Sequence, residues 1–203
     1  EVIFKGGTAL SKWCKYIERC SEDSDLVVLR REEETGSQLK NKLKRITKEI
    51  VEPFEEVDID GITNKMGMIR KIAYNYPKIF EGDFGQVRDT IIVEATWLGH
   101  FEPYIKKVVN TYIYEMMVDS NQTKLAETYG LLPFEVLVLD VKRTLCEKIM
   151  SLVRFSHTKK PIEDLNNKIR HVYDIHQLLK DETVLGFFNS GAFDKMLLRV
   201  AHD

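Results

Sequence analysis

The feature that most restricts this chain is a change of pattern near residue 140. Before it, apolar runs of strand length recur between turn residues: Val2-Ile3-Phe4, Leu26 to Leu29, a loosely alternating stretch from Met66 to Tyr76, Thr90 to Trp97, and Phe134 to Leu139. After it, only helical spacing is found, predicting helices over 142–155, 164–180 and 192–201 with loops at 157–163 and 186–191. A sheet with some antiparallel pairing must therefore precede an all-helical tail.

Within the first part, Val2 to Phe4 reads as strand directly after Glu1, as though the sheet begins upstream. Gly6-Gly7-Thr8 then breaks the strand in a tight turn, with Thr8 as N-cap of a helix marked by Leu10, Trp13, Cys14 and Ile17. From Ser37, the residues Leu39, Leu43, Ile46 and Ile50 mark one face of a helix that Pro53 ends. Its other face carries Lys40, Lys42, Lys44, Arg45 and Lys48, a pattern more often solvated than a polynucleotide footprint. Helical spacing also predicts a helix through Ile105, Val108, Val109, Tyr112, Ile113 and Met116.

Composition excludes several classes. A chain of 203 residues, 43% hydrophobic and 31% charged, is neither disordered nor low in complexity. With 30 basic residues against 32 acidic ones, it has no global attraction to nucleic acid. The longest apolar stretch, 131–141, is interrupted by Pro133, Glu135 and Asp140 and falls short of the roughly 18 residues of a membrane span. No secretory leader is visible, and Cys14, Cys20 and Cys146 cannot all pair within one chain, so a reduced, cytoplasmic setting is expected.

Asp23 and Asp25, two apart at a strand's entrance, project from one face with backbones roughly 7 Å apart and can converge on one cation. Alone, an Asp-x-Asp pair reads more readily as a solvated acidic turn. Glu94 lies inside the apolar run Ile91 to Ala95, where a carboxylate needs a partner: a metal, or a salt bridge to Arg70 or a lysine. Gly6 and Gly7 let a phosphate approach the backbone, or simply supply the positive φ of a turn. The combination carries more than its parts, because a phosphate-accepting turn, a helix and paired carboxylates on the next strand together meet the electrostatic needs of phosphoryl or nucleotidyl transfer. The five histidines show no ligand spacing with the cysteines that would suggest zinc, and Cys146 reads as core.

Four segments in order resemble the AbiEii-type nucleotidyltransferases, toxins of type IV toxin–antitoxin and abortive-infection systems: Phe4 to Lys12, Arg19 to Leu26, Thr144 to Leu152, and Arg170 to Ile175. Tyr76-Pro77 and the Glu94 strand also fit, so the resemblance runs from Val2 to about Leu179. It departs from the family at Cys20, usually aromatic, at His171, commonly aspartate, and in lacking a segment before the glycine strand. The resemblance implies an α/β (α+β) fold: a polymerase-β-like core with a mixed sheet flanked by helices at residues 1–140, then a C-terminal helical bundle at 141–203. It further implies that Asp23, Asp25 and Glu94 bind two Mg²⁺ ions, with Glu94 helping to deprotonate the attacking hydroxyl. Lys148 would hold the triphosphate of an NTP, Asp174 would support that lysine or the nucleotide, and Gly6, Gly7, Thr8 and Ser21 would line the phosphate pocket. The expected reaction is transfer of NMP to an acceptor hydroxyl, with RNA, particularly the tRNA 3′ end, as implied acceptor, a cognate antitoxin as partner and no membrane. Two alternatives stand beside it: a catalytically silent nucleotide- or partner-binding module, and a γ-phosphotransferase.

Overall fold

The computed structural model describes residues 2–13, 16–19, 21, 23–50, 54–80, 82 and 88–203. Cys14, Cys20 and Pro53 lie outside the described residues. Among the described residues seven strands form one mixed sheet: β1 (Val2–Phe4), β2 (Asp23–Val28), β3 (Glu55–Val57), β4 (Ile69–Asn75), β5 (Thr90–Thr96), β6 (Tyr104–Val109) and β7 (Phe134–Leu139), in the spatial order β3-β4-β5-β2-β1-β7-β6. The pairs β2·β5 and β1·β7 are parallel and the rest antiparallel. The antiparallel pairing and the helical tail are what the sequence pattern predicts, and the mixed sheet flanked by helices is what the resemblance implies.

Strand alternation divides the sheet into two faces. On one, Leu26, Val28, Val93, Ala95, Trp97, Ile72 and Tyr74 pack against Leu39 and Leu43 of helix α2 (Gly36–Ile50). That helix forms because its apolar residues fall three and four apart, burying one stripe. Buried Thr47 ties it to β4, accepting from Arg70 Nε at 2.9 Å, while the Tyr74 hydroxyl donates to the Thr47 carbonyl at 3.2 Å. The basic residues Lys40, Lys44, Arg45 and Lys48 of α2 are exposed.

A second core lies elsewhere. Leu10 and Ile17, from the N-terminal segment, are buried with Leu145, Leu178 and Val184 of the C-terminal helices. Those helices are α5 (Val141–Ser156), α6 (Pro161–Asn166), α7 (Ile169–Leu178), α8 (Glu182–Phe188) and α9 (Gly191–His202). Asp140 caps α5, accepting from the Lys142 amide at 2.8 Å, which turns the end of β7 directly into that helix. Arg143 of α5 is buried yet satisfied, donating to Glu147 Oε1 and the Glu102 carbonyl, each at 3.1 Å, and to the Asp203 carboxylate.

Several expected elements differ. No tight turn follows β1: the short helix α1 (Gly6–Thr8) starts at Gly6, has Lys5 as its N-cap and runs on into a π-helical turn, Ala9–Trp13. Thr8 is thus inside the helix rather than at its cap. The helix predicted over 105–116 is instead β6 followed by α3 (Tyr112–Asp119), capped by Thr111, with α4 (Thr123–Thr128) beyond. Ile105, Val108 and Val109 are β-branched and find a ladder partner in β7, and this tertiary pairing overrides a spacing that matched a helix by coincidence. The predicted helix 164–180 is two, broken at Asn167-Lys168, and 186–191 is not all loop, because Asp181 caps α8 through the amides of Thr183 and Val184. No helix among the described residues is long and apolar enough to cross a membrane.

Candidate active site

The face of the sheet opposite α2 carries the acidic residues. Asp23 and Asp25 open β2, and parallel register sets Asp25 directly beside Glu94 of β5, with Asp23 beside Ile92. Lys71 of β4 lies opposite Glu94 on its other side, so Lys71, Glu94 and Asp25 stand abreast on three adjacent strands. Gly6 makes room for this row. Its φ is +64°, and a Cβ built there would sit 2.3 Å from Asp25 Oδ2. The glycine therefore answers two demands together, a left-handed backbone and the approach of a carboxylate. Gly7 is tight for a different reason, a Cβ there lying 2.9 Å from Ser21 Oγ and 3.0 Å from Arg19 Nη2.

A cavity of about 530 Å³ is lined by Gly6, Gly7, Ser21, Asp23, Asp25, Glu94 and Lys148, uniting seven of the nine residues singled out from sequence. The two others stand behind its wall. The Thr8 hydroxyl donates to Ser21 Oγ at 3.0 Å and lies against the Asp23 carbonyl, fastening the start of β2 rather than facing the cavity. Asp174 of α7 is fully buried, accepting Lys148 Nζ at 2.7 Å and both Nε (2.8 Å) and Nη2 (2.7 Å) of Arg19. Its carboxylate thus touches the lysine with which the resemblance associates it. Its carboxylate is engaged across the fold with Arg19 and Lys148, beyond the i,i+4 partner Arg170 that spacing alone would offer it. Burial pushes its pKa up, but the Arg19 and Lys148 contacts outweigh this and hold it below the usual range.

The acidic row is electrostatically strained. Asp25 is pushed up to about 6, first by burial and then by Glu94 and Asp23, with Lys5 and Lys71 opposing. Lys71 Nζ stands 3.3 Å from Glu94 Oε2 and 3.6 Å from Asp23 Oδ2, so Glu94 pairs with a lysine and not with Arg70, which points to the other face. Arg88 Nη1 is 3.8 Å from Asp23 Oδ1, too far for a hydrogen bond, and that buried oxygen has no hydrogen-bond partner among the described residues. Hard carboxylate oxygens, one of them orphaned and one held at a raised pKa, are a donor set that fits a divalent cation such as Mg²⁺. Among the described residues no three His, Cys, Asp or Glu side chains form a ready-made cage. The site is open, with an ammonium beside two of its carboxylates.

The cavity also carries basic side chains, Lys5 and Arg88 beside the carboxylates and the others near Lys148, where a further carboxylate, Glu147, also lines it. Lys5, Arg19, Arg88, Lys168 and Arg170 line the cavity alongside Lys148. His171 also lines the cavity, as a neutral imidazole, its pKa lowered to about 4 by burial and by Lys148 and Lys168; its buried Nδ1 lacks a hydrogen-bond partner among the described residues. Sequence reasoning gave no role to Arg19, Lys71, Arg88 or Lys168. Arg19 opens the second of the four family-like segments, and a spacing of four from Asp23 is its only local signal. Lys71 had none until the β4·β5 register was known.

The fold is thus an α/β protein with a mixed sheet flanked by helices, three carboxylates on neighbouring strands and a cavity that also holds six basic side chains. The family can then be named. A family model described as nucleotidyl transferase AbiEii toxin, type IV TA system, matches residues 1–202, and the chain belongs to that nucleotidyltransferase family. No curated protein matches the sequence. Among solved structures, it is similar to an antigenic nucleotidyltransferase-like protein from Paracoccidioides brasiliensis, with 18% identity and a TM-score of 0.40 over 100% of this chain and 79% of that one.

Proposed function

We propose that the protein transfers NMP from an NTP to an acceptor hydroxyl, with Mg²⁺ as cofactor and pyrophosphate as leaving group, and that it acts as a cytoplasmic toxin. One observation carries this reading: the carboxylates of Asp23, Asp25 and Glu94, on neighbouring strands, line one cavity together with six basic side chains. In this reading Asp23, Asp25 and Glu94 hold two Mg²⁺ ions, which supply neutralisation of the charge that develops on the phosphoryl oxygens. The side chains of Lys148, Lys168 and Arg170 counter the triphosphate, and Gly6, Gly7 and Ser21 line its path. Arg19 and Asp174 fix the Lys148 ammonium, so that it faces phosphate without searching rotamers. The Glu94 carboxylate takes the proton of the attacking hydroxyl as the oxygen closes on the α-phosphorus.

The acceptor in this proposal is RNA, with the tRNA 3′ end first to be tried, and a cognate antitoxin is the expected partner. The lysine face of α2 is not part of that acceptor site, because the helix packs on the sheet face turned away from the carboxylates and its Lys40, Lys44 and Lys48 point to solvent. We keep the two-part division, a catalytic core at 1–140 and a helical part at 141–203, as a functional one: the first supplies the carboxylates and the second supplies Lys148, Lys168 and Arg170.

Incubation with α-labelled or γ-labelled NTP, Mg²⁺ and total RNA tests the reading. Label should pass to RNA from the α position only and be lost in Asp25→Ala. Transfer from the γ position would make the protein a phosphotransferase, no transfer with retained nucleotide binding would make it a silent module, and undiminished transfer by Asp25→Ala would refute the site.

A further inference from the structure

We infer that Lys71 is the internal counter-ion of the acidic row: its ammonium takes the place of a divalent cation between Asp23 and Glu94, withdraws when one binds, and so sets the cation affinity of the site. The inference rests on the reading that these carboxylates hold the metal, and it adds a positioning residue that neither the sequence pattern nor that reading assigns.

The backbone puts Lys71 where it must act. Antiparallel register places it directly opposite Glu94, and Glu94 is directly beside Asp25, so the lysine cannot be separated from the row without breaking the centre of the sheet. Its contacts are loose. At 3.3 Å from Glu94 Oε2 and 3.6 Å from Asp23 Oδ2, the ammonium is beyond the roughly 2.7–2.9 Å of a strong charge-assisted hydrogen bond, so it neutralises the carboxylates without being locked to either. The side chain is also 26% exposed, which leaves a flexible four-carbon stem with solvent to retreat into.

Charge counting gives the reason. Asp23, Asp25 and Glu94 face three basic groups, Lys71 at Glu94 and Asp23, Arg88 at Asp23, and Lys5 acting on Asp25. The row is thus close to neutral as it stands. A dication added to it would leave excess positive charge beside Lys71, and the nearest ammonium is the group that relieves the excess by moving. A triphosphate arriving with the cation would offer that ammonium a new partner, which couples nucleotide entry to cation entry. A plain structural ion pair shares the forecast of a weaker fold on loss of the lysine but differs on the metal: cation binding would not improve.

The test titrates the whole chain, free of nucleotide, with Mn²⁺ followed by electron paramagnetic resonance, and records melting with and without Mn²⁺. Wild type, Lys71→Met, Lys71→Arg and Asp25→Asn are compared. Removing a unit positive charge from beside a dication should tighten Mn²⁺ binding by roughly tenfold in Lys71→Met. Lys71→Arg, which keeps the charge, should bind as wild type does. Without Mn²⁺, Lys71→Met should melt below wild type, and saturating Mn²⁺ should raise its melting temperature by more than it raises that of wild type. If wild type binds Mn²⁺, Asp25→Asn does not, and Lys71→Met binds no more tightly than wild type, the counter-ion role is wrong and the metal site stands. If wild type binds no Mn²⁺, or Asp25→Asn binds as well as wild type, the metal reading itself falls and takes this inference with it.

Discussion

Replacing Gly6 by alanine tests the geometry of the site more sharply than removing any of its charges. The residue sits at φ +64°, where an alanine costs about 1–2 kcal/mol relative to glycine. The added methyl would also lie 2.3 Å from Asp25 Oδ2, 3.2 Å from its Cγ and 3.5 Å from its Cβ. Because ordinary contact begins near 3.4 Å, the carboxylate must withdraw by about 1 Å, and the Cβ, already at an ordinary distance, need not move. The fold therefore survives with the carboxylate displaced. It cannot retreat freely, since Glu94 stands beside it and Asp23 two residues before it, both of like charge. Together these effects predict a destabilisation of about 1–3 kcal/mol, which for a chain of this length lowers the melting temperature by roughly 2–10 °C. Misplacement of a reacting group by about 1 Å predicts a loss of nucleotidyl transfer of about a hundredfold. Scanning fluorimetry and α-label transfer on Gly6→Ala, with Gly7→Ala as comparison, measure both. Gly7 has no left-handed φ, and its clashes fall on the ends of the Ser21 and Arg19 side chains, so its stability loss should be smaller. A Gly6→Ala protein with wild-type melting and wild-type turnover would refute the claim that this glycine exists to admit Asp25.

Two further outcomes follow from buried charge. Asp25 has a folded pKa of about 6, above its unfolded value, so the native state binds the extra proton between roughly pH 4 and 6. Metal-free protein should therefore lose stability as pH rises through that window, by up to about 3 kcal/mol, and Asp25→Asn should flatten this part of the profile in calorimetry. Asp174 has the opposite sign: its pKa is depressed, so its contribution is present at neutral pH and disappears as acid protonates it. Asp174→Ala removes the acceptor shared by Arg19 and Lys148 and leaves both cations without it in the interior, at a cost of about 3–5 kcal/mol by chemical denaturation. An Asp174→Ala protein as stable as wild type would show that Arg19 and Lys148 find other partners.

Local pattern carried much of this protein. The strands β1, β2, β4, β5 and β7, helix α2 and the all-helical tail are visible as periods of apolar residues, because a face that must be buried repeats at the period of its own backbone. Asp23 and Asp25 were visible for the same reason, since alternate residues of a strand share a face wherever that strand lies. The short strand β3 and the change from β6 to α3 were not visible. A three-residue edge strand has too few residues to show a period, and Ile105 to Val109 fit a helix until β7 supplies the ladder that makes them a strand.

The tertiary structure decided everything that depends on which strand lies next to which. Sequence presents Gly6 as a turn residue and gives no sign that the space it leaves belongs to Asp25. It presents Glu94 as a carboxylate needing a partner, and only the register chooses Lys71 over Arg70. It links Asp174 with Lys148 only through the family resemblance and gives no sign that Arg19 joins them, although in the fold one carboxylate holds both cations. The division has a physical cause. Amphipathic period is a property of consecutive residues and is written in their order, whereas Coulombic and steric contacts fall off over a few ångströms in space and join residues such as Arg19 and Asp174, which the chain keeps 155 positions apart.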